Sequence, residues 1–204
     1  MIKLLLATNN QGKLAELRSL LDGLDLVLLS PADLGIKVHV AERGTNYLEN
    51  AVLKAAIFAQ ASKTWTLADD SGLEVEALDG APGLFSARYA PHQGANDKDR
   101  RRFLVKNLEE YPRPWKASFQ SVVALVGPEG SPIVTKGTCQ GEIIPDGRGF
   151  GGFGYDRIFQ LEESGLTMAE LSEEKKNSIS HRGQAVGKLI PVLQGLFAEE
   201  IISG

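Results

Sequence analysis

The sequence predicts an α/β fold built on a mixed sheet, and three patterns carry that reading. Short apolar runs suited to buried strands alternate with amphipathic helical stretches in the first half of the chain. Two β-rich segments then follow one another around a Gly/Pro turn, which adds a hairpin or meander pair to the alternating part. The length, 204 residues, is enough to bury one substantial core or two closely joined ones.

Taken in order, Ile2 to Ala7 is an apolar run ended by polar residues and reads as a buried strand. After Gly12, residues Leu14, Leu17, Leu20 and Leu21 fall on one face of a helix. Leu26 to Leu29 suits a second strand, broken by Ser30-Pro31. A helix is predicted over Asn46–Lys63, with Asn46 as N-cap, Glu49 completing a capping box, and Tyr47, Leu48, Ala51, Val52, Ala55 and Ala59 on the apolar face. Trp65 to Ala68 is a short strand running into Asp69-Asp70-Ser71-Gly72, with Glu74 to Leu78 as an extended continuation and Gly80 to Gly83 as loop. Asp97 to Glu110 reads as helix, capped by Asn96 or Asp97. Ala117–Val126 and Ile133–Ile144 alternate like strands, and residues 145–154 are a glycine-dense loop. A last helix is expected over Ser180–Ile202, with Pro191 kinking or interrupting it. No linker or internal repeat is visible, so the chain reads as a single domain, 1–204.

Composition narrows the function classes. Hydrophobic residues make up 43% and charged residues 24%, the balance of a soluble protein. The net charge of −4 disfavours nucleic acid and anionic membrane surfaces as partners, so any anion site must come from a local cluster of cations. No apolar stretch approaches the roughly 18 residues of a membrane span. The N-terminal apolar run, about five residues, is shorter than the roughly 7–15 of a signal peptide. Cys139 is the one cysteine; it sits in a strand-like run, reads as a buried inert thiol, and fits a reducing cytoplasm.

Four segments carry chemistry. Thr8-Asn9-Asn10-Gln11-Gly12-Lys13 joins a strand to a helix N-terminus, where free N–H groups, polar side chains and Lys13 suit phosphate; the alternative is a polar turn whose asparagines only cap. Asp69-Asp70-Ser71-Gly72 follows an apolar strand. Two adjacent carboxylates at a strand end are not expected both to face a core. One of them suits a hard cation such as Mg²⁺, or a water to be deprotonated; the alternative is an Asx-turn. Phe150-Gly151-Gly152-Phe153-Gly154-Tyr155-Asp156 offers close backbone approach and ring faces for a planar base, or else a flexible loop with aromatic plugs. Lys175 to Gly183 bunches Lys176, His181 and Arg182 before a helix start, against the dipole. That suggests a bound anion, unless the run is a solvated basic surface. Glu42 and Lys54 each read singly as surface residues. Together these segments supply an anion site, an acidic metal site and an aromatic base site, the three requirements of a nucleoside triphosphate.

In this combination the chain resembles the inosine/xanthosine triphosphate pyrophosphatase family, the Ham type. The resemblance runs in order through Thr8–Lys13, Asn50–Ala55, Ala68–Leu73, Gly80–Gly83, Ser86–Tyr89, Gly151–Asp156 and Ser180–Ala185. It implies an elongated mixed sheet flanked by helices, two lobes around a central substrate cleft, and a homodimer. It implies Mg²⁺-dependent hydrolysis of ITP, dITP and XTP to the nucleoside monophosphate and pyrophosphate, which clears these nucleotides before they enter DNA or RNA. Carried over by motif, Thr8, Asn9, Asn10, Gln11, Gly12 and Lys13 bind the triphosphate, with Lys54 nearby. Asp70 is general base and metal ligand, Glu42 the second metal carboxylate, and Ser71 touches substrate. Phe153, Gly154, Tyr155 and Asp156 hold base and sugar, and Lys176, His181 and Arg182 complete the pocket. Three positions depart from the pattern: Glu42 stands alone before Gly44 where two glutamates are common, Arg157 replaces a usual proline, and Pro191 interrupts the last helical pattern. A donor aimed at the 6-oxo group, with His181 and Arg182 as candidates, accounts for rejection of adenine. A nucleotide sensor without turnover and a pyrophosphatase for another base are the competing readings.

Overall fold

The computed structural model describes residues 2–128 and 130–203. Its regular elements are β1 (Ile2–Leu6), α1 (Gln11–Leu20), β2 (Leu26–Leu29), α2 (Tyr47–Ser62), β3 (Trp65–Val75), α3 (Asp97–Leu108), β4 (Trp115–Val126), β5 (Ile133–Ile143), β6 (Phe159–Gln160), α4 (Glu173–Ile179) and α5 (His181–Ser203). One six-stranded sheet runs in the order β2-β1-β3-β4-β5-β6. β1 is parallel to β2 and β3, while β5 and β6 are antiparallel, so the sheet is mixed as predicted.

Local chemistry sets the helix starts. The Asn10 side chain accepts from the Lys13 N–H at 3.1 Å and opens α1. Asn46 accepts from Glu49 N–H at 2.9 Å and opens α2. The capping box expected there is displaced by one residue, because the Glu49 carboxylate takes the Thr45 N–H at 2.8 Å instead of that of Asn46. The full reciprocal box forms at α3, between Asn96 and Asp99.

Three expectations are corrected. β3 does not stop at Ala68 but runs through Asp69–Gly72 to Val75, after which Glu76–Leu78 turns as a 3-10 helix. Both aspartates are buried, Asp69 at 0% and Asp70 at 8% exposure, because each finds partners inside the fold. α5 is not interrupted at Pro191, the alternative to a kink there; the exposed ring sits one turn after Gly187, a residue with no side chain to crowd it. The short helix α4, unread in the sequence, lies ahead of α5 with Ser172 as its N-cap.

The chain clusters into two compact units, Met1–Asp70 with Ser121–Gly137 and Arg182–Gly204, and Ser71–Gln120 with Thr138–His181. β3, β4 and β5 each contribute residues to both units. In the first unit the strand period of two loads both sheet faces. Leu4, Leu6, Leu67, Val123 and Leu125 pack with Leu14 and Leu17 of α1 and with Leu189 and Leu193 of α5. Leu5, Ala7, Ala68, Val122 and Ala124 pack with Ala51, Ala55 and Phe58 of α2. Leu48, predicted on the apolar face of α2, is exposed instead. Burial on both faces is why these strands read as unbroken apolar runs. The second unit is centred on Leu73, Trp115, Phe119, Ile143 and Phe159, with Leu104 and Leu108 of α3. Cys139 belongs to that core, and burial pushes its thiol up to about 11. No helix among the described residues is long and apolar enough to cross a membrane.

Candidate active site

Asp69 is the hub of the first unit's charged cluster. Its Oδ2 lies 2.8 Å from Lys13 Nζ and accepts from Arg182 Nη2 at 3.0 Å and Nε at 3.3 Å. Its Oδ1 accepts from the Ser121 hydroxyl at 2.6 Å. Arg182 is buried and reaches a second carboxylate, Glu16 of α1. Burial alone would raise the Asp69 carboxyl, but Arg182 and Lys13 beside it hold it well below the usual range. For Arg182 burial opposes the charge, and Asp69 with Glu16 outweighs it and keeps the guanidinium protonated. Burial presses Lys13 below the ordinary lysine value, with Asp69 opposing. The cation at the start of α5 is thus met by protein carboxylates, and these explain its place against the dipole.

The next residue, Asp70, points to the other side of the strand. Its Oδ2 accepts from Asn50 Nδ2 at 3.1 Å, and Asn50 Oδ1 accepts from the Gly44 N–H at 2.8 Å. One buried carboxamide therefore ties Asp70 to the segment that carries Glu42. A side chain at Gly44 would meet that carboxamide at 2.6 Å, so the glycine is required there. Lys54 Nζ sits 2.5 Å from Glu42 Oε1 and donates to the Asp69 carbonyl at 3.1 Å. Burial raises the Asp70 carboxyl, against the pull of Lys54 and Lys13. Ahead of α1, Thr8 is half-buried while Asn9, Asn10 and Gln11 are exposed, and Lys13 points back to Asp69. The structure therefore brings Lys13, Glu42, Lys54, Asp70 and Arg182 into one network around β3.

The second unit holds the aromatic candidates. Asp156 Oδ2 lies 2.6 Å from Lys176 Nζ and accepts from the Phe153 N–H at 2.8 Å. The Lys176 ammonium stands 5.5 Å from the centre of the Phe153 ring. Gly152 has φ +69°, and a Cβ there would lie 2.0 Å from Asp156 Oδ2, so only glycine lets the loop close on its own carboxylate. Gly154 is held at both ends of its backbone by α3, through Asp97 at 2.7 Å and Arg101 at 2.6 Å. His181 stacks on Phe119 at 4.7 Å. Tyr155, expected to offer a ring face, is buried in the core with its hydroxyl donating to the Ser86 carbonyl at 2.9 Å; Phe153 is the half-buried ring of the pair. Ser71 continues β3 directly after Asp70.

Four residues of these networks were not legible as functional: Glu16, Asn50, Asp69 as a hub, and Ser121. Glu16 sits one turn after Lys13, the one local signal that pointed to it. Glu42 and Asp70 provide hard carboxylate oxygens, the donor type of Mg²⁺, which takes one or two protein carboxylates plus substrate phosphates and water. No group of three or more His, Cys, Asp or Glu side chains suited to a metal occurs among the described residues, and a magnesium site of that kind needs none.

The Ham1 family model matches residues 4–192. A dITP/XTP pyrophosphatase of Synechocystis sp. is 46% identical over 195 residues, 95% of this chain and 96% of the relative. One of Geobacter sulfurreducens is 44% identical, covering 93% and 95%. Among solved structures, a HAM1 protein from Coxiella burnetii superposes with TM-score 0.85 at 39% identity over 96% of this chain and all (100%) of that one. The Staphylococcus aureus Ham1 protein gives 0.83 at 38%, covering 95% and 98%. With this match along most of its length, the chain belongs to the Ham1 family.

Proposed function

We propose that this chain hydrolyses ITP, dITP and XTP to the nucleoside monophosphate and pyrophosphate, clearing them before they reach DNA or RNA. The carrying observation is Asp70: a buried carboxylate with a raised pKa, positioned by Asn50, one residue from a hub that orders Lys13. Close relatives named dITP/XTP pyrophosphatase support the substrate class. In this reading Asp70 accepts a proton from a water as its oxygen bonds to Pα, and the bond from Pα to the bridging oxygen breaks to release pyrophosphate. Lys13 and Lys54 face the charge that grows on the leaving group. The cluster's cations are already met by Glu16, Glu42 and Asp69, so a triphosphate needs further positive charge. Glu42 and Asp70 would hold Mg²⁺, which would supply that charge and polarise the phosphoryl oxygens. Thr8 to Gly12 and Ser71 take phosphate oxygens, and Phe153 to Asp156, Lys176, His181 and Arg182 read base and sugar. Arg182, fixed by two carboxylates, acts as an oriented donor toward the 6-oxo group rather than as a mobile counterion. The reading includes a homodimer in the cytoplasm, which sedimentation and fractionation check.

The test is pyrophosphate release from ITP, XTP, dITP, GTP, dTTP and ATP, with Mg²⁺ and with EDTA. Metal-dependent turnover of the first three is expected. Preference for another nucleotide overturns the base assignment and keeps the hydrolysis. Binding of ITP by folded protein without any turnover replaces the enzyme with a sensor.

A further inference from the structure

We propose that a cavity beside α3 is a second anion site, built for a phosphate-bearing small molecule. The cavity lies wholly in the second unit and has a volume of about 860 Å³, within the roughly 300–1,000 Å³ typical of small-molecule sites. Lys98, Arg101, Arg102 and Lys106 line it from one face of α3, and Arg157 lines it from the loop before β6. Asp99, Glu109 and His92 also line it, so positive charge dominates locally in a chain whose net charge is −4.

These cations lack acids of their own. Arg100, next on the helix, pairs with Asp97, and Asp99 is engaged with His92 and the α3 cap. Among the described residues Lys98, Arg102, Lys106 and Arg157 form no ion pair. Arg157 Nε is buried and has no acceptor. Arg101 is half-buried, and burial together with the nearby Arg157 disfavours its charge, with Asp97 and Asp156 opposing. A half-buried guanidinium beside a second one that carries a buried, unmet Nε–H is costly alone and favourable around an anion. Phe103, Val105 and Ile158 give the cavity an apolar wall for the organic part of a phosphate ester. Arg101 also donates to the Gly154 carbonyl, so occupancy reaches the Phe153–Asp156 loop; the value of that coupling rests on the proposed function.

The site is tested by titrating inorganic phosphate and, separately, AMP into the full chain with EDTA present. Nitrogen-15 NMR follows the Arg101 and Arg157 Nε–H groups and the Gly154 amide. Saturable shifts at all three are expected, weakened about tenfold or more in Arg102→Ala/Lys106→Ala, two exposed positions whose loss leaves basal turnover and melting unchanged. Tighter AMP binding makes the apolar wall part of the site, and equal affinity assigns it to the phosphate group. Unweakened binding by the double variant, shifts confined to Lys13, or no saturable binding of either probe overturns the proposal. The readout needs no turnover, and Asp70→Asn should bind as wild type does, so this site and the proposed reaction fail separately.

Discussion

On one side of β3 the Asp69 carboxylate receives Lys13, Arg182 and the Ser121 hydroxyl, while one residue along Asp70 receives, among the described residues, a single carboxamide, that of Asn50. Both are buried, both are aspartate, and they share a strand. Paired cations hold the first well below the usual range, and burial raises the second. Ionisation of Asp69 is therefore part of what stabilises the fold, whereas ionisation of Asp70 works against it and leaves a carboxylate with proton affinity to spend on chemistry.

The largest expected effect separates the two by substitution. Asp70→Asn should lower pyrophosphate release by roughly 10²–10⁴-fold with melting unchanged or slightly raised, since a desolvated charge is removed. Wild-type turnover would remove Asp70 from the chemistry. Asp69→Asn should instead cost about 3–5 kcal/mol in urea unfolding, because Arg182 and Lys13 lose their shared partner. Equal stability of the two variants would erase the contrast.

The pH dependence of stability sharpens it. The folded value of Asp69 is depressed, so its contribution is present above the unfolded carboxyl pKa of about 3.9 and is lost as pH falls through the lower folded value. Asp70 is raised, so its contribution is full below that unfolded value and is lost as pH rises through the folded one. Urea midpoints through the acid range should therefore fall less steeply with acid in Asp69→Asn than in wild type, and more steeply in Asp70→Asn. A change of the same sign in both variants contradicts the assignment.

A smaller effect is expected at Lys13, which serves both Asp69 and the proposed phosphate site. Lys13→Ala should raise KM about tenfold while Arg182 and Ser121 keep Asp69 in place. An unchanged KM takes Lys13 out of substrate binding.

The same contrast shows what the sequence could and could not disclose. The starts of α1, α2 and α3 depend on asparagines within three residues of the N–H groups they cap, and they were readable. β1 was readable because both its faces are apolar. The burial of Asp69 was not, since its partners lie 52, 56 and 113 positions away in the chain. A local reading therefore sees two acids and a glycine and places a turn where the strand continues. Tyr155 shows the same limit: the sequence leaves its ring either as a face for a base or as a core plug, and the choice turns on Ser86, 69 positions away, whose carbonyl takes the hydroxyl while the ring goes into the core. Positions satisfied by near neighbours are legible. Of the buried polar positions satisfied from a distance, the resemblance points to Asp70, Asp156, Lys176 and Arg182, while the roles of Asn50, of Asp69 as hub and of Ser121 appear only in the fold.

The smallest effects belong to the two neutral donors, and they cut most finely. Ser121→Ala removes a hydroxyl from a carboxylate that keeps two cations, so it should cost about 1–2 kcal/mol of stability and leave turnover intact. Asn50→Ala removes the one donor to Asp70 and frees Gly44, so kcat should fall about tenfold or more through misplacement of the base with little change in KM. Asn50→Asp divides that loss, because it keeps an acceptor for Gly44 and replaces the donor by a repelling charge. If Asn50→Asp retains turnover, anchoring of the Glu42 segment matters more than the bond to Asp70. If it loses turnover as fully as Asn50→Ala, the carboxamide acts on Asp70 directly, and the Asp70 side of β3 carries the base while the Asp69 side holds the fold and orders Lys13 and Arg182.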